Sequence, residues 1–183
     1  MIYENRSSRL PRVVLIAVAV CTTQLCAAQH AAKSAQDPQI AAALQQVSAQ
    51  RIQADIEALV SFGTRLTLSA QDSESIAKGR GIGAAREWIK AEFERYSRDC
   101  GGCLEVKTDS FTEQPTDRIP AATEITNVYA VLKGTDSAQA KRIVLVTGHY
   151  DSRNSDTLDG KGDAPGANDD ASGTTVSLEC ARV

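Results

Sequence analysis

Arg142-Ile143-Val144-Leu145-Val146-Thr147-Gly148-His149-Tyr150-Asp151-Ser152 is the stretch on which the reading of the fold turns. Its apolar run shows almost no alternation, the pattern of a strand covered on both faces, as in a parallel sheet. Two earlier stretches, 104–110 and 127–134, also predict strands, the first with a period of two and therefore one wet face. Upstream, Ser48 is a candidate N-cap, followed at helical spacing by Ile52, Ile56, Leu59 and Val60 up to about Phe62, with Gly63 as the stop. A second amphipathic helix carries Ile82, Ala85, Ile89, Phe93 and Tyr96, with Trp88 beside that stripe; Trp88 and Phe93 are read as core. Residues 171–183 predict another helix. Helices followed by a buried strand point to a three-layer α/β domain with a mixed, mostly parallel central sheet.

The whole chain of 183 residues, 42% of them hydrophobic, is enough for one domain core and too little for two ordinary ones. Lys and Arg total 20 against 23 Asp and Glu, and no basic cluster lies outside the N-terminus, which argues against a nucleic-acid partner. Residues 1–28 read as a secretory signal. Arg6, Arg9 and Arg12 make the positive start, residues 13–20 are apolar, and Ala28 closes a small-residue cleavage site. The apolar stretch is short for stable membrane insertion, so the expectation is a secreted or periplasmic protein with 29–47 as linker and the start of a helix, and 48–183 as the domain. In such a compartment Cys100-Gly101-Gly102-Cys103 is expected to close a local disulfide, while Cys180 is expected reduced on a buried helix face. The run Gly79-Arg80-Gly81-Ile82-Gly83 follows a polar loop and not a strand, which disfavours a dinucleotide site and leaves a flexible start to the helix.

The chemistry gathers where the predicted strand ends. A His at the carboxyl end of a strand stands where open α/β sheets bind ligands. His149 offers an imidazole to a metal, and Asp151 can accept its other N–H, fixing the tautomer. Some twenty residues on comes Gly166-Ala167-Asn168-Asp169-Asp170-Ala171-Ser172-Gly173. Alone, its carboxylates read as a solvated turn with an N-cap Asp. Together the two motifs, with Ile56-Glu57-Ala58-Leu59-Val60-Ser61-Phe62-Gly63-Thr64-Arg65 and Gly83-Ala84-Ala85-Arg86-Glu87-Trp88-Ile89, resemble the co-catalytic zinc aminopeptidases, the family of secreted bacterial leucyl aminopeptidase, with plasma glutamate carboxypeptidase as a relative.

The resemblance spans about residues 48–183 and implies a zinc-exopeptidase-like fold. It implies that His149 is a ligand of one zinc, Asp151 the active-site acid orienting that imidazole, and Asp169 the carboxylate bridging two zinc ions. Asp170 would follow Asp169 through a cis peptide bond. The implied reaction is removal of N-terminal residues from peptide substrates. The family's glutamate base and its remaining ligands match no residue of this sequence, so the chain is expected to be the N-terminal part of such an enzyme, inactive alone, ending in the helix after Asp169. A single-zinc glutaminyl cyclase and a non-catalytic secreted domain on the same scaffold are the alternatives. Substrate preference and oligomeric state are not legible.

Overall fold

The computed structural model describes residues 37–183, and the leader assigned to residues 1–28 lies outside them. The described residues fall into two units, 37–45 and 46–183. In the first, helix α1 (Pro38–Leu44) starts where Asp37 accepts a hydrogen bond from the Gln39 N–H at 2.8 Å and a proline opens the first turn.

The second unit opens with helix α2 (Ala49–Ser61). Ser48 caps it, its Oγ accepting from the Arg51 N–H at 3.3 Å, and the helix ends at Phe62 before Gly63 at φ 72°. The polar stretch expected as a loop at 71–75 instead forms the short helix α3 (Ser73–Ala77), because Asp72 accepts from the Ser75 N–H at 2.9 Å and caps it. Helix α4 (Gly81–Asp99) is the spine of the unit. Its start is tightly packed. The N–H groups of Gly81, Ile82 and Gly83 donate to Phe62 O, Ser69 Oγ and Ala70 O, and a Cβ on Gly81 would sit 2.6 Å from Ala70 O. Those amides are thus committed to the protein's own acceptors and not offered to a phosphate.

The buried face of α4, with Ala85, Ile89, Phe93 and Tyr96, meets Leu59 of α2 and Leu178 of helix α5 (Ser172–Arg182). Trp88 stands at the edge of this core, its ring 6.3 Å from that of Phe62. A disulfide between Cys100 and Cys103 spans the turn after α4. Strands β1 (Leu104–Glu113) and β2 (Thr123–Leu132) then pair antiparallel, from Leu104 opposite Leu132 to Glu113 opposite Thr123. Alternation puts Leu104, Val106, Val128 and Ala130 on the α4 core. Both strands differ from their predicted ranges: β1 runs on to Glu113 and β2 begins at Thr123, since pairing and not side-chain pattern sets where a ladder stops.

Two expectations need correction. The sheet formed by the described residues is this two-stranded antiparallel hairpin, with one isolated parallel bridge between Thr64 and Ala164, and residues 142–148 form no strand. A strand exists only in a ladder, and here β2 pairs with β1 alone, leaving Ile143, Val144 and Leu145 at 89, 88 and 79% exposure. Cys180 is free, but it is exposed on α5 and not buried, because the inward face of that helix is taken by Thr174, Thr175 and Leu178. Among the described residues no helix is long and apolar enough to cross a membrane.

Candidate metal centre

The segment after residue 148 turns into the protein, and His149 is fixed there mostly through its backbone. Its N–H donates to Asp170 Oδ2 at 3.1 Å, and its carbonyl accepts from Thr174 Oγ1 at 3.1 Å. Gly148 allows this approach: a Cβ there would lie 2.4 Å from the carbonyl carbon of Gly173. Asp170 in turn accepts from the Gly173 N–H at 2.8 Å through Oδ1, so one carboxylate caps the first turn of α5 and holds the His149 backbone. A kinked turn, Ala167–Ala171, precedes α5; Asp169 and Asp170 have non-helical backbone there, and the peptide bond between them is cis.

The side chains converge accordingly. Asp151 Oδ1 lies 3.0 Å from His149 Nδ1, and Asp169 Oδ1 lies 3.2 Å from His149 Nε2. Asp170 Oδ2 is further from Nε2, at 3.9 Å. Four acidic or imidazole side chains singled out in the sequence are thus brought to one place, and both His149 and Asp169 are open to solvent. Cys100 and Cys103, joined to each other beyond the end of α4, take no part in it.

With Nδ1–H donating to Asp151, Nε2 presents a lone pair towards Asp169, a carboxylate that presents another. Two electron-pair donors facing across 3.2 Å call for a positive charge between or upon them. A proton is one answer. Partial burial lowers the His149 pKa, but Asp151, Asp170 and Asp169 outweigh that and raise it above its ordinary value. A metal ion is the other: N and O ligands at adjacent corners of a tetrahedral zinc site stand about 3.4 Å apart, so the observed spacing fits. The donor set suits zinc, with Asp151 as the outer carboxylate that orients the imidazole. Among the described residues no group of three or more His, Cys, Asp or Glu side chains is placed to hold a metal ion, so the fit rests on the pair His149 and Asp169.

Residues that the sequence reading did not connect with this site support it from behind. Arg65 is fully buried, at 0% exposure, and its guanidinium donates to four carbonyls: Tyr150 O, Leu59 O and Pro165 O at 2.8 Å and Gly166 O at 2.9 Å. Ser152, also buried, accepts from the Arg65 N–H at 3.0 Å and donates to Ala164 O at 2.6 Å. Burial lowers the Arg65 pKa, with Asp151 and Asp170 opposing that. The signal for Arg65 in the sequence is slight, a single basic residue directly after the helix stop at Gly63 and Thr64.

Residues 127–183 match Peptidase family M28. The chain is 46% identical over 151 residues to a protein named probable zinc metalloprotease from Leptosphaeria maculans, a match covering 82% of this chain and 34% of the relative. Proteins of the same name from Pyrenophora teres f. teres and Pyricularia oryzae are 47% and 44% identical over 147 residues, each match covering 80% of this chain and 29% and 28% of the relative. The chain therefore spans about a third of the length of the curated relatives it matches. No solved structure matches it.

Proposed function

We propose, from the match of residues 127–183 to peptidase family M28, that this chain carries part of the zinc centre of a metallopeptidase acting at the N-terminus of peptides. In this reading His149 and Asp169 hold zinc, Asp169 as the carboxylate shared by two ions, and the domain has the three-layer architecture of the zinc exopeptidases. The observation that carries it is the 3.2 Å approach of His149 Nε2 to Asp169 Oδ1, backed by Asp151 at 3.0 Å.

Zinc bound there supplies Lewis acidity towards a scissile carbonyl and water. The protein's own part is orientation. Asp151 keeps the His149 proton on Nδ1 and so keeps Nε2 free to ligate. Asp170 spends both oxygens on backbone N–H groups, which leaves Asp169 as the carboxylate that projects outward. The exposure of His149 and Asp169 lets a peptide reach the pair. Two protein donors do not fill a shell of about four, so further ligands complete the centre. Export is part of the same reading: the Arg-rich leader supports it, as does the disulfide of Cys100 and Cys103, a bond that persists in oxidising compartments.

Zinc binding by the full chain, measured by competition with a chromogenic chelator, tests this reading. Wild type is expected to take up zinc, and His149→Ala and Asp169→Asn to lose most of that affinity. Uptake unchanged in both variants would remove the metal reading from these residues.

A further inference from the structure

Arg65 is a cation buried without a carboxylate bonded to it, a costly arrangement unless its hydrogen bonds are fully used. They are used in a particular way. One acceptor, Leu59 O, lies in the last turn of α2. A second, Tyr150 O, lies between His149 and Asp151. The other two, Pro165 O and Gly166 O, lie just before the turn that carries Asp169 and Asp170. The planar guanidinium therefore spans both halves of the candidate centre and ties them to the helical core. The Arg65 backbone repeats the connection: its N–H donates to Ser152 Oγ, its C=O accepts from the Ser152 N–H at 3.1 Å, and Ser152 Oγ donates to Ala164 O. The metal-binding reading uses none of these groups.

We propose that Arg65 is a positioning residue whose guanidinium, with Ser152 beside it, sets the spacing between the His149–Asp151 segment and the Asp169–Asp170 turn. Lysine cannot replace it, since an ammonium on a flexible stem has three donors and no planar fork to reach acceptors on three segments at once. Gly166 belongs to the same device: at φ 47° it brings its carbonyl to Arg65, and a Cβ there would meet Ser152 Cβ at 2.4 Å and Asp169 O at 2.6 Å. The proposal rests on the zinc reading for its purpose but not for its geometry, so its test has a metal-free arm.

That arm is hydrogen exchange followed by mass spectrometry on the full chain without zinc, comparing wild type, Arg65→Lys, Ser152→Ala and the core variant Phe93→Ala. Faster exchange confined to peptides covering 147–152 and 164–173, with residues 82–96 as protected as in wild type, is expected for Arg65→Lys and, more mildly, for Ser152→Ala. Phe93→Ala is expected to loosen α4 first. In the second arm zinc affinity falls about 10- to 100-fold in Arg65→Lys, the usual loss when a group orienting a metal ligand is removed, and stays near wild type in Phe93→Ala. Exchange in the Arg65 and Ser152 variants that rises everywhere alike, or nowhere, overturns the proposal. If Arg65→Lys does not fold, Ser152→Ala decides by the same criterion. Wild type that takes up no zinc defeats the metal reading, while the exchange pattern still decides for or against Arg65.

Discussion

Asp55 shows how a single buried group sets a pH dependence away from the candidate centre. It lies on the inner face of α2 with Oδ2 unpartnered, and burial, then the nearby Glu92, raises its pKa. A raised carboxyl pKa means that the folded state holds the proton more tightly than the unfolded one. Its contribution is therefore full below about pH 3.9 and is lost as pH rises through the folded value. Asp55→Asn, a neutral isostere, is expected to gain about 1 kcal/mol over wild type at pH 7 and to show no gain near pH 3, measured by urea denaturation at the two pH values. Equal stabilities at pH 7 would count against it. By contrast, the residues of the candidate centre are legible because they are close in sequence: His149 and Asp151 follow one apolar run, and Asp169 and Asp170 stand at one helix start. Arg65 was not, because its partners lie 85 to 101 positions further along and are carbonyls, which leave no mark in a sequence.

Elements were readable where the signal is local. A cap and a period of 3.6 located α2, and the period alone located α4, because a helix satisfies its own backbone; alternation located β1 because one of its faces is buried on α4, while its antiparallel pairing with β2 left no such local mark. Residues 142–148 have as strong an apolar pattern, yet a strand depends on a neighbour that no local pattern encodes. The exposed row of Ile143, Val144 and Leu145 has a measurable result. The chain is expected to bind the dye ANS and to self-associate, and Val144→Lys to reduce both, while its thermal midpoint changes little because the valine is largely exposed. A large drop in midpoint would show that this segment is packed in solution.

Over the whole molecule, residues 1–28 differ in composition from the rest, and under the proposed export the product is expected to start at Gln29, directly after Ala28. N-terminal sequencing of secreted material checks this, and a product retaining Met1 would exclude cleavage there. The domain itself is closed by contacts that are distant along the chain, and the Arg65 clamp gives that distance a clock. During synthesis the guanidinium emerges 85 to 101 residues ahead of Tyr150, Pro165 and Gly166. At ribosomal speeds of about 5–20 residues per second that is a wait of roughly 4–20 s. Through that interval α2 and α4 can meet, but of the four carbonyls that Arg65 donates to only Leu59 O has been made. The Arg65 contacts to the candidate centre thus wait on Gly166, and a ribosome paused between codons 100 and 165 would hold a nascent chain in which α2 and α4 are made and the candidate centre is not.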